Sequence, residues 1–144
     1  MPSVPNTFTP STIIQSAQVN ENFDTVADAI VPTFVFTITG TLTTGTNLTP
    51  ALIVPGAYTI QKAYAYVKTA PTGATILIDI NVNGTSIWNS DQNNRLTIAA
   101  SAQTGSQTIF DTTALQDFDV LTVDVDQVGS TIAGADLTVE LKCT

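Results

Sequence analysis

The sequence predicts an all-β fold: a jelly-roll-like antiparallel β-sandwich of about eight strands, preceded by an extended Pro-rich arm and one short α-helix. Three observations carry that prediction. From Thr33 onward, apolar residues recur at every second position, as in Phe34-Phe36-Ile38, Ile76-Ile78-Ile80-Val82 and Leu137-Val139-Leu141-Cys143. Turn signals such as Pro55-Gly56, Pro71-Thr72-Gly73 and Asn83-Gly84 interrupt these runs, and the strands between turns recur at a spacing of about 8 to 12 residues. Only one stretch has a helical period, so no crossover helices separate the strands. The organisation that follows is an N-terminal segment over residues 1–32 and a sandwich over residues 33–144.

The arm, up to about residue 12, contains Pro2, Pro5 and Pro10 and no periodicity. The helix comes next. Val19, Phe23, Val26 and Ile30 are spaced by four, three and four, which places them in one narrow stripe. Ser16 suits the N-cap, Glu21, Asp24 and Asp28 lie on the polar side, and Pro32 stops the helix. Such a stripe serves either a helix packed on its own domain or a homotypic bundle on a symmetry axis. We take Val19, Phe23, Val26 and Ile30 as the oligomerisation and anchor residues. About four turns cannot hold a coiled coil unaided, so the following domain would have to associate as well.

Strands are expected at Phe34–Ile38, at Leu52-Ile53-Val54, and over the long stretch from Ala57 to Lys68. The run Ile76–Val82 leads into Asn83-Gly84, the strongest short hairpin signal in the chain, with Ser86-Ile87-Trp88 as its return. Shorter strands follow near Leu96–Ala99 and Thr108–Phe110, then longer ones at Phe118–Asp126 and Ala135–Cys143. The apolar phase slips between Val120 and Leu121, which a bulge there would repair.

Composition narrows the function. Of 144 residues, 43% are hydrophobic and 11% charged, with 12 acidic against 4 basic side chains, a net charge of -8 and no histidine. Without histidine, neither a Ser-His-Asp site nor a His-ligated zinc site can be assembled. With Lys62, Lys68, Arg95 and Lys142 as the whole basic inventory, a phosphate-tracking surface is excluded, so no nucleic-acid partner is expected and anionic membranes are disfavoured. No run reaches a membrane span, and the start lacks the pattern of a signal peptide, which implies synthesis in a cytoplasm. Low charge and a threonine-rich polar surface leave little repulsion between copies, which favours assembly.

Four features invite chemistry. Asp79-Ile80-Asn81-Val82-Asn83-Gly84 matches the opening of a calcium loop, but the twelfth position is Ser90 rather than a bidentate Glu, and strands flank it. A strand face ending in a hairpin explains the same residues, so no metal site is assigned. Asp124 and Asp126 share a strand face like paired carboxylates, with no aromatic-rich cleft beside them in sequence; a solvated edge or a subunit contact explains them, and no catalytic residue or cofactor is assigned. Tyr58, Ile60, Lys62, Tyr64, Tyr66 and Lys68 alternate on one face of the long strand. Tyr58, Tyr64 and Tyr66 fit core-edge tyrosines, an intersubunit contact or a sugar-stacking platform, and Trp88 divides between core and exposed platform. Cys143, in phase with Leu137, Val139 and Leu141, reads as a small buried apolar group.

Two stretches carry a resemblance. The first is Ile14-Gln15-Ser16-Ala17-Gln18-Val19-Asn20-Glu21-Asn22-Phe23, continuing through Ala29-Ile30, with a V-N-x-N-F core. The second combines Ala70-Pro71-Thr72-Gly73, Ile78-Asp79-Ile80-Asn81-Val82-Asn83-Gly84-Thr85-Ser86-Ile87 and Leu121-Thr122-Val123-Asp124-Val125-Asp126-Gln127-Val128-Gly129-Ser130. Together they resemble small virion accessory proteins of tailed bacteriophages, of the capsid-decoration, head-fibre or tail-fibre type. The resemblance implies a structural protein: a homotrimeric knob held to a larger particle of capsid or tail proteins by its N-terminal segment, and hence a virion location. A tail-fibre or tail-tip position is the alternative, as is a carbohydrate-binding adhesion module with a host-surface glycan as ligand. No functional residues carry over from the resemblance.

Overall fold

β-Branched side chains at alternating positions favour extended backbone, and the described residues place them in ten strands. The computed structural model describes Pro5, Thr7, residues 16–29 and residues 32–144. The chain divides into two units, Met1–Pro32 and Thr33–Thr144.

In the first unit, α1 spans Ser16–Ala29. Ser16 is therefore the first helical residue, one position inside the N-cap expected for it. Val19 is half-buried and Phe23 is 69% exposed. The side chain of Val26, all of Ile30 and most of the arm lie outside the described residues.

In the second unit the strands are β1 (Thr33–Thr41), β2 (Leu52–Ile53), β3 (Tyr58–Thr69), β4 (Ile76–Val82), β5 (Thr85–Ser86), β6 (Leu96–Ile98), β7 (Thr104–Gln107), β8 (Ala114–Leu115), β9 (Val120–Gln127) and β10 (Ala135–Cys143). One sheet runs β1-β10-β3-β7, with β8 also on β3; the other runs β2-β9-β4-β5, with β6 also on β4. All pairings between these strands are antiparallel. With the short strands β5 and β8 set aside, the remaining eight fall into the two sheets in jelly-roll order, β1-β10-β3-β7 and β2-β9-β4-β6. The all-β sandwich expected from the alternation is the fold observed.

The core lies between the sheets. Phe36, Ala65, Val67, Val139 and Leu141 come from one inner face, and Ile78, Ile80, Leu121, Val123 and Val125 from the other, all buried. Asn83 and Gly84, with φ of 52° and 80°, adopt the left-handed backbone that a two-residue hairpin requires.

Three details differ from expectation. The break expected between Val120 and Leu121 is absent, because β9 begins at Val120 and alternates regularly from there. The register slip falls instead near the strand's end: Leu77 faces Gln127 while Ile78 faces Val125, leaving Asp126 as the extra residue. The strand expected at Thr108–Phe110 lies earlier, as β7. Gln107 Oε1 accepts from the backbone N–H groups of Thr108 at 2.8 Å and Ile109 at 3.0 Å, so its side chain replaces the ladder and ends the strand. Finally, β3 does not keep one phase. Lys62 faces Lys142 and Ile60 faces Cys143, so Gln61 is bulged out.

Candidate functional site

That bulge decides which side chains of β3 meet solvent. Before it, Ile60 points into the core; after it, Ala63, Ala65 and Val67 do. The single face expected from Tyr58 to Lys68 is thus split in two. Tyr58 is half-buried with the core side and meets Phe34 edge-on, ring centroids 6.5 Å apart at 67°. Tyr64 and Tyr66 stand on the outer face, 38% and 47% exposed.

Antiparallel register then sets their neighbours. On β10, Glu140 lies directly across from Tyr64 and Thr138 across from Tyr66. On the other side, β7 places Ser106 across from Tyr64 and Thr104 across from Tyr66. An open depression of about 280 Å³ results, lined by Tyr64, Tyr66, Thr104, Thr138 and Glu140, with Ala65 and Gly105 at its floor. The Lys62 ammonium sits 4.6 Å from the centroid of the Tyr64 ring, a cation–π contact. Neither phenolic hydroxyl nor the Glu140 carboxylate hydrogen-bonds to another described residue, so all three can meet a ligand. Gly105 is required below them. A Cβ at that position would run into the carbonyl oxygen of Thr97, so no side chain fits there.

Trp88 is elsewhere. It is fully buried, its Nε1–H donates to the Ile109 carbonyl at 2.7 Å, and its ring lies 5.7 Å from that of Phe110. It belongs to the core, and the exposed-platform reading fails because the segment after the hairpin turns inward. Of the four residues singled out as ligand or interface candidates, only Tyr64 and Tyr66 come together at the surface.

On and beside the other sheet, the acidic side chains Asp79, Asp119, Asp124 and Asp126 are committed to neighbouring side chains. Asp79 accepts from Ser86 Oγ at 2.7 Å, Asn81 Nδ2 donates to Asp124 at 2.9 Å, and Asn83 Nδ2 donates to Asp119 at 2.7 Å. The three side chains of the calcium-loop motif therefore engage three separate partners. Among the described residues no acidic, histidine or cysteine cluster could hold a metal ion. Asp124 also accepts from the Asn47 backbone N–H at 2.6 Å, while Asp126 pairs with Arg95. These contacts tie the β9 carboxylates to the loops around them. Burial raises the pKa of Asp79 against the opposing hydrogen bond from Ser86. Cys143 is buried as its phase implied, and burial pushes its thiol up to about 11.

The sequence pointed to Tyr64 and Tyr66 but not to Glu140 or Thr138. Their signal is visible only in part: they occupy the polar phase of β10, between Leu137, Val139 and Leu141. What places them beside the tyrosines is register between strands far apart in the chain, which periodicity does not report. Among the described residues no helix is long and apolar enough to cross a membrane. Neither a protein-family model nor a curated protein sequence matches this chain.

Proposed function

We propose that this chain is a structural protein of a tailed-bacteriophage virion: a homotrimeric capsid-decoration or head-fibre knob. The sandwich would form its outward body and residues 1–32 its anchor and oligomerisation segment. The observation that carries the reading is α1. It is a 14-residue helix that shows Phe23 69% exposed, on the stripe it shares with Val19. A helix of that length is marginal alone, and an exposed aromatic on its apolar stripe is suited to the same stripe of another copy. The jelly roll supports the same reading. It is a body able to stand without charge networks, and its only ion pair among the described residues is Arg95–Asp126.

Light scattering on the full-length chain tests the assembly. A trimer at micromolar concentration is expected, and Phe23→Ser should shift it toward monomer while the far-ultraviolet β signal is kept. A monomeric full-length chain would overturn the reading. Co-sedimentation tests the location: full-length protein should pellet with heads purified from a virus lacking it, and Phe23→Ser should pellet much less.

A further inference from the structure

We propose that the outer face of the β10-β3-β7 sheet is a binding site for a neutral oligosaccharide. A pyranose ring presents an apolar C–H face and a rim of hydroxyls. It is held by a flat apolar ring beside groups that accept and donate hydrogen bonds. The depression over this sheet has both. Tyr64 and Tyr66 are two positions apart on one strand and on the same face, so their Cα atoms lie about 7 Å apart along the row. Glu140 lies across from the first and Thr138 across from the second, with Thr104 on the far side of Tyr66. Lys62 already covers one ring, that of Tyr64. Tyr66, 47% exposed, is therefore the main stacking surface, and Tyr64 with Glu140 forms the polar end.

The charges select the ligand. Glu140 is an acceptor-only carboxylate at the rim of the depression, on a chain of net charge -8. An acidic group set against Glu140 is repelled by it, with Lys62 and Lys142 facing each other two positions along the same ladder, whereas a neutral sugar offers two hydroxyls to its two oxygens in strong charge-assisted hydrogen bonds. The same carboxylate argues against a second copy of the chain as the occupant. A protein face closing over Glu140 would bury a charge that has no partner among the described residues, at high cost. Sugar hydroxyls bring the missing donors with them.

The site belongs to the sandwich unit and does not depend on the virion reading. Full-length protein is screened on an array of neutral oligosaccharides (glucans, mannans and galactans), and the best binder is titrated by saturation-transfer NMR. Tyr66→Ala should weaken binding about tenfold or more, and Glu140→Gln by a smaller factor of about three to ten. Phe23→Ser should leave binding intact even where it breaks the trimer, which separates failure of this proposal from failure of the virion reading. The proposal is overturned if no neutral saccharide on the array binds at millimolar concentration. It is overturned equally if Tyr66→Ala and Glu140→Gln bind as wild type does, or if Tyr66→Ala changes the oligomer mass, since the face would then be a contact between copies.

Discussion

The hydroxyl of Ser86 donates to Oδ1 of Asp79 at 2.7 Å, and the same Oγ accepts from the Trp88 backbone N–H at 3.0 Å. This pair fastens the return of the β4–β5 hairpin over the outer face of β4, and it leaves Asp79 only 7% exposed.

The first prediction concerns pH. Burial raises the Asp79 pKa from its ordinary 3.8, with Asp126 adding to the shift; the Ser86 hydrogen bond, Arg95 and the Ile80 amide oppose it. A raised carboxyl favours the folded state in its protonated form. The associated stability is complete below about 3.8 and is lost as pH climbs through the folded-state value. Asp79→Asn cannot ionise yet keeps an oxygen for Ser86. Its stability relative to wild type, from urea unfolding at several pH values, should rise from pH 4 upward and then level off. A deficit that is constant across pH would show that the hydrogen bond matters and the ionisation does not.

The second prediction concerns the buried indole. Trp88→Phe keeps most of the apolar volume but removes the donor to the Ile109 carbonyl, which is then left without that partner. Such a loss costs about 1–3 kcal/mol, against about 3–5 kcal/mol for Trp88→Ala, where a cavity is added. Denaturant unfolding of both variants measures the difference. Equal losses would mean that the hydrogen bond, which both variants lack, outweighs the packing that Trp88→Ala alone removes; a Trp88→Phe loss near zero would mean that the hydrogen bond contributes little.

What was legible in the sequence, and what was not, divides along one physical line. Where the alternation is uninterrupted, as in β1, β4 and β10, period two alone identifies the strand and its buried face. Where one residue is bulged, the rule places side chains on the wrong face from that point on. Gln61 does this to the Tyr58–Lys68 row. The strand Thr104-Gly105-Ser106-Gln107 escaped notice because its inward position, Gly105, has no room for a side chain and so carries no apolar signal. The candidate groove was half visible for a related reason. Tyr64 and Tyr66 are two residues apart, but Glu140 reaches them only through pairing across some 75 positions of chain.

A third prediction follows from Cys143. Its thiol is buried against the core and accepts or donates no closer than 3.9 Å, to the Leu141 carbonyl. With the pKa pushed from 9.0 to about 11, almost no thiolate forms in the folded protein near pH 8. Reaction with a disulfide reagent at that pH should be slow in buffer and fast in denaturant. The linkage has the same sign as for Asp79: the folded state loses stability as pH rises between about 9 and 11, because the unfolded thiol ionises first. Cys143→Ala should lack that alkaline loss. Rapid labelling of the native protein would contradict the buried placement.

The last prediction concerns strain at the surface. Phe118, just before β9, has a φ of 66° and is 76% exposed, while its backbone N–H donates to the Val54 carbonyl at 2.9 Å. A left-handed backbone costs a residue with a bulky side chain about 1–2 kcal/mol, and Asn tolerates it best after Gly. The turn is held from outside the strained residue. Asp119 accepts from the Gln116 backbone N–H at 2.8 Å and from Asn83 Nδ2 at 2.7 Å, and Asn83 in turn accepts from the Val120 N–H at 2.9 Å. Those contacts survive replacement of Phe118. Phe118→Asn should therefore raise stability by roughly 0.5–1 kcal/mol in urea unfolding, with no change in saccharide binding at the opposite sheet. A loss of stability instead would show that the ring gains more by packing on the exposed Ile53 and Val120 pair than its backbone conformation costs.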